Sequence, residues 1–134
     1  MKAFHGTDQN ITTFTTRLRK ERGINGLGNI CDHNYYTTGE TEFIYFASNK
    51  KVSETYGKII MECELTINNP FIIDANEKHY SKFENEIQEA IWNKIDTGIN
   101  DSIIILNLRD GLGRFNSDII TDVYLVKPNQ IKIN

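Results

Sequence analysis

The chain has 134 residues, 39% of them apolar and 25% charged, with only 2 prolines and 9 glycines. This fits one globular domain (1–134) that buries its own core and excludes a disordered or repetitive chain. A net charge of -3 excludes a bulk field for nucleic acid or an anionic membrane, although Arg17, Arg19, Lys20 and Arg22 make the N-terminal third locally basic.

Cys31 and Cys63 lack CxxC or His-spaced companions, so neither a zinc site nor a disulfide framework is indicated and both are expected as free thiols. Met1-Lys2-Ala3-Phe4-His5 holds no apolar core of signal-peptide length, and no apolar run approaches about 18 residues. A cytoplasmic protein without a membrane span is expected.

In chain order, a short strand from Met1 to Phe4 or His5 ends at Gly6-Thr7, where glycine permits a tight turn or a close backbone approach. Asp8 to Glu21 places Ile11, Phe14 and Leu18 on one face and predicts a short helix. Gly23 to Glu42 is loop chemistry, rich in Gly, Asn, Asp and Thr, and a loop of that length in a compact domain suggests a lid. Gly26-Leu27-Gly28 is not a phosphate-binding fingerprint, because no strand precedes it and no helix clearly follows.

Phe43-Ile44-Tyr45-Phe46-Ala47 predicts a strand that breaks at Ser48 into a short helix. Ser48 is the expected N-cap and Gly57 the expected left-handed close. Ser53 and Tyr56 then share one helix face, with Tyr45 on the strand, so two tyrosines and a hydroxyl can converge at one corner. Packing aromatics with polar tips are the plain alternative.

Ile59 to Ile67 alternates apolar with polar residues and predicts a half-buried strand. Asn68-Asn69-Pro70 turns the chain into a short strand over Phe71-Ile72-Ile73-Asp74. A long helix is predicted from Asn76 to Ile95, with Tyr80, Phe83, Ile87, Ala90, Ile91 and Ile95 on one stripe and Gly98 as its stop. Ser102 to Leu108 predicts a strand buried on both faces, followed by a loop with Asp110, Gly111 and Gly113. The last strand, Ile119 to Lys127, puts Asp122 among apolar neighbours. A part-buried carboxylate there must be paired, for instance with Arg109 or Arg114, or used in chemistry.

Phe4-His5-Gly6-Thr7, the Tyr45-Phe46-Ala47 run with Ser53 and Tyr56 at their spacings, and Asp122-Val123-Tyr124-Leu125-Val126-Lys127-Pro128-Asn129-Gln130-Ile131-Lys132 supply three motifs in chain order. Together they resemble the ADP-ribosyltransferase family of the diphtheria-toxin and poly(ADP-ribose)-polymerase type, with its His, Tyr and acidic signature. The small transferase domains of phage and mobile elements are the most similar. The resemblance implies an α+β fold, in which a split, mostly antiparallel sheet surrounds an NAD cleft and a long helix packs on the sheet. It implies catalytic roles for His5, Tyr45 and Asp122. In the cofactor site, His5 would bond the ribose, Gly6 and Ser53 the carboxamide, and Tyr45 and Tyr56 would sandwich the nicotinamide, with Thr7 and Ala47 in the same motifs. No metal is implied.

Two departures stand out. Aspartate replaces the glutamate of many relatives, which makes chain elongation doubtful, and Glu42-Phe43-Ile44 lacks the glycine that often precedes the Tyr-Phe-Ala run. The implied function is therefore transfer of a single ADP-ribose from NAD to a macromolecular acceptor, a host protein or complex, by a monomer. The lid and the Arg17–Arg22 segment would dock the acceptor. By analogy the chain would serve as a phage anti-defence effector of the anti-CRISPR kind. The alternatives are an NAD glycohydrolase toxin and a catalytically inactive NAD- or partner-binding module.

Overall fold

The computed structural model describes residues 1–7, 14, 43–110 and 119–134. Several expectations lie outside these residues: the helix over Asp8–Glu21, the lid, the basic segment, Cys31, and the loop holding Gly111, Gly113 and Arg114. The described residues form a mixed α+β fold around one seven-stranded sheet. Its strands are β1 (Lys2–Thr7), β2 (Ile44–Ala47), β3 (Ile59–Leu65), β4 (Pro70–Asp74), β5 (Ser102–Asp110), β6 (Ile119–Val126) and β7 (Ile131–Ile133). They lie in the order β4-β5-β6-β2-β1-β3-β7. Every neighbouring pair is antiparallel except β4 and β5. Parallel strands need a long crossover, and the helical segment between β4 and β5 supplies it.

That crossover is not the single helix predicted from Asn76. Asn76 and Glu77 have φ of 49° and 65°, a left-handed conformation from which no right-handed helix can start. A 3₁₀ turn at Tyr80–Lys82 follows, then helix α2 at Glu84–Ala90 continues into a π-helical turn at Ile91–Ile95. The predicted stripe is nonetheless the buried one. Phe83, Ile87, Ala90, Ile91 and Ile95 lie in one core cluster with Ile103, Ile105, Val123 and Leu125, and Tyr80 packs against it. Gly98 closes the segment with φ of 80°. No helix among the described residues is long and apolar enough to cross a membrane.

The opposite face carries a second cluster that includes Ala3, Phe46, Cys63, Ile104, Tyr124 and Val126. Side chains alternate along a strand, so the centre of the sheet is buried on both faces. The second helix, α1, is one turn long, at Lys50–Ser53. Its N-cap is Asn49, whose side chain accepts from Lys51 N at 3.0 Å, and not the expected Ser48. Ser48 instead bonds β6: its N–H donates to the Asp122 carbonyl at 2.9 Å and its hydroxyl accepts from Asp122 N at 3.0 Å.

Gly57 differs from expectation as well, since among the described glycines only Gly98 has a positive φ. Its missing side chain serves close approach: a Cβ there would stand 2.3 Å from the Thr7 carbonyl carbon and 2.5 Å from its oxygen. Backbone atoms cannot swing away as a side chain can. Gly57→Ala is therefore expected to destabilise the fold by about 1–3 kcal/mol, as overpacking does. Gly98→Ala, with open space but a left-handed backbone, should lose only about 1–2 kcal/mol. Urea unfolding of the two variants checks the order, and a Gly57→Ala midpoint at or above that of Gly98→Ala contradicts it.

Candidate functional site

β1 pairs with β3 through six consecutive register positions, from Lys2↔Glu64 to Thr7↔Ile59, but meets β2 at one, Phe4↔Ala47. Beyond that point His5 takes over the link, its Nδ1 lying 2.7 Å from the Tyr45 carbonyl oxygen. A carbonyl accepts only, so Nδ1 carries the hydrogen, which leaves Nε2 as the acceptor in the neutral ring. The imidazole packs at 5.3 Å from both the Phe14 and the Phe46 rings. Burial lowers its pKa below the ordinary histidine value, and the hydrogen bond to Tyr45 opposes this more weakly.

The next residue, Gly6, lies under α1. A Cβ on Gly6 would clash with the Ser53 carbonyl oxygen and reach within 3.2 Å of Tyr56 Cβ. That carbonyl also accepts from Tyr56 N at 3.0 Å. Gly6 and Gly57 together let α1 and its exit turn settle on the end of β1, which seats Ser53 and Tyr56 beside the point where β1 and β2 part. Ser53 is 2% exposed. Ala47, also buried, sits between Phe4 of β1 and Val123 of β6.

Tyr45 points to the helix-covered face, packed against the first core cluster, and its hydroxyl lies 3.4 Å from that of Tyr80. The Tyr56 hydroxyl donates to Asp110, 2.9 Å from one carboxylate oxygen and 3.0 Å from the other. Burial raises the Tyr56 pKa far above that of free tyrosine, and the Asp110 charge and hydrogen bond raise it further, with a smaller push from Tyr80. Tyr56 therefore stays a phenol and a donor. Gly6, Ser53 and Tyr56 thus meet at the end of β1, and both Tyr45 and Tyr56 neighbour Tyr80, whereas the His5 ring lies with Phe14 and Phe46 of the second cluster, on the other face of the sheet.

Asp122 stands apart from the tyrosines. It shares its face of β6 with Tyr124 and Val126 of the second cluster, opposite to Val123 and Leu125. Of the arginine partners considered from sequence, Arg114 lies outside the described residues; Asp122 Oδ1 accepts from the backbone N–H of Asn107 at 3.0 Å, while Arg109 Nε donates to the Glu77 carbonyl. Asn107, with φ of 54°, lies in a bulge. β5 advances three residues from Ile105 to Leu108 while β6 advances two, from Val123 to Thr121.

The extra residue changes which side chains of β5 face the helix. Ile103 and Ile105 face it before the bulge and Leu108 after it, so Asp110, two residues on, joins the tyrosine face and is 9% exposed. Sequence reasoning missed Asp110, taken as loop, and Tyr80, taken as stripe. The signal available for Asp110 was a carboxylate closing an apolar run. Among the described residues no group of three or more His, Cys, Asp or Glu could hold a metal.

A histidine whose folded pKa is lowered makes a testable mark on stability. Below the unfolded value of about 6.5 the unfolded chain takes up the proton first, so stability is full above that pH and is lost as pH falls toward the folded pKa. Wild-type denaturation midpoints are expected to fall from about pH 7 to about pH 5 by a component that His5→Gln lacks. Parallel pH profiles for the two proteins would show that His5 titrates alike folded and unfolded.

In comparison with known proteins, no family model, no curated protein and no solved structure matches the chain.

Proposed function

We propose that the protein is a mono-ADP-ribosyltransferase, passing ADP-ribose from NAD to a macromolecular acceptor, with a fold of that family's split-sheet kind. The observation that carries this is the parting of β1 from β2 after a single register pair, with His5 bound to the Tyr45 carbonyl at the fork. The family's His-Gly-Thr and Tyr-Phe-Ala motifs are joined there by that bond, and its serine lies on α1 with its second tyrosine in the exit turn.

The residues present suit NAD. At the fork His5 Nε2, the acceptor nitrogen of the neutral ring, can accept from a ribose hydroxyl. Tyr45 and Tyr56 offer flat faces for a nicotinamide. In the reaction the bond between ribose C1′ and the nicotinamide nitrogen breaks, with its electron pair leaving on the ring, which becomes neutral. C1′ bonds the acceptor's nucleophile, whose proton passes to solvent. A fixed carboxylate stabilises the oxocarbenium-like charge that builds on the ribose. Asp122 is the residue that the motif assigns to this task, on β6, the strand next to β2 on the side away from His5. Its backbone is bonded to Ser48, just past the end of β2, and its bulge contact restrains the carboxylate.

Incubation with NAD labelled on the adenylate and a bacterial lysate tests the reading. Labelled macromolecule with free nicotinamide supports it. Free ADP-ribose alone would assign hydrolysis, and unchanged NAD would reduce the site to binding. Asp122→Asn is the informative variant, because its amide oxygen can still accept from Asn107 N while the charge is gone. Turnover is expected to fall at least about a hundredfold with the thermal midpoint kept; wild-type turnover would remove Asp122 from the chemistry.

A further inference from the structure

Tyr56 carries a feature that a ring used only for packing does not need. Its single O–H is shared between both oxygens of a carboxylate that is 9% exposed, while the tyrosine itself retains 40% of its surface. The ring is anchored at its hydroxyl end and still presents a face. Asp110 is brought there by the Asn107 bulge alone, since regular alternation from Ile103 and Ile105 would direct position 110 to the other side of the sheet.

A phenol that donates to a carboxylate gains electron density in its ring. That gain favours a cation stacked on the ring face over a neutral ring of the same shape. The nicotinamide of NAD is a cation. The dihydronicotinamide of NADH and the nicotinamide released by transfer are both neutral.

We propose that Asp110, acting through Tyr56, makes this corner selective for a positively charged nicotinamide, so that oxidised NAD is held and the reduced form and the released ring are not. The proposal rests on the nicotinamide-clamp reading above. Asp110 is here a positioning residue: it does not touch the ligand, and its effect passes through the phenol. The raised pKa of Tyr56 keeps the proton that links the two.

Calorimetric titration of the full chain with four ligands separates charge from shape: NAD against NADH, and N1-methylnicotinamide against nicotinamide. Wild type is expected to prefer the cation of each pair. Asp110→Asn, close in shape but uncharged, should weaken NAD and N1-methylnicotinamide about tenfold, equivalent to about 1.4 kcal/mol, and leave the neutral ligands within about twofold. In a Tyr56→Phe background the same substitution should have little further effect on that preference, which shows that the two residues act as a unit.

Equal weakening of charged and neutral ligands would make Asp110 a purely structural partner and overturn the proposal. Equal wild-type affinity for NAD and NADH would overturn it while leaving the clamp intact. A wild type that binds none of the four overturns the clamp reading and the proposal together. Should Asp110→Asn not fold, Tyr56→Phe keeps the ring, and an unchanged NAD to NADH ratio in that variant overturns the proposal by itself.

Discussion

The arrangement on both faces of the sheet depends on one extra residue in β5. Asn107 takes a left-handed backbone and leaves its N–H outside the ladder, where Asp122 of β6 accepts it. Left-handed backbone costs roughly 1–2 kcal/mol in a residue with a side chain, less for asparagine than for most. A hydrogen bond to a charged group is worth about 1.5–3 kcal/mol, and the bulge also keeps Leu108, 0% exposed, in the core, where a leucine contributes about 1.5–3 kcal/mol. The gains exceed the strain. Asn107 has further ties, since its carbonyl accepts from Glu77 N at 2.8 Å, so the same irregularity fixes where the chain leaves β4.

Asp122 is accordingly a junction. Its main chain is bonded twice to Ser48 at the end of β2, and its side chain to the bulge of β5. The carboxylate that breaks the apolar pattern of β6 therefore has a structural partner whatever chemistry it performs. A group held by one oxygen to a neighbouring strand has little freedom to rotate, and such restraint is what electrostatic catalysis requires of a carboxylate. The bond that satisfies the charge also fixes its direction.

The other constraint is close backbone approach at α1. Two glycines, Gly6 and Gly57, admit the Ser53 carbonyl and the Thr7 backbone at distances that a Cβ would forbid. The one-turn helix is too short to hold itself. It is held by this contact, by the Asn49 cap and by Val52, which is 1% exposed. Tyr56 inherits its position from that seat and its orientation from Asp110. The glycine that invites a ligand-binding interpretation at Gly6 is thus already required by packing, and its use for a carboxamide would be a second demand on the same small residue.

Local pattern determined a good deal. Period-two alternation marks β3 and β6, the continuous apolar run marks β5, and the stripe from Phe83 to Ile95 enters the core as its 3.6-residue period requires. Tyr45 reaches the helix-covered face by strand alternation, whereas Tyr56 lies past the end of α1 and takes its place from the glycine approach and from Asp110. What only the tertiary structure decided is non-local. Nothing adjacent to Asn107 announces its left-handed backbone, which is stabilised by bonds to Asp122 and Glu77, both distant in sequence. β7 exists because β3 has an edge for it to pair with, and Ser48 yields the cap to Asn49 because β6 binds it first. Asp110 joins the tyrosines because a single inserted residue reverses the facing of everything after it on β5, an effect that no window of sequence contains.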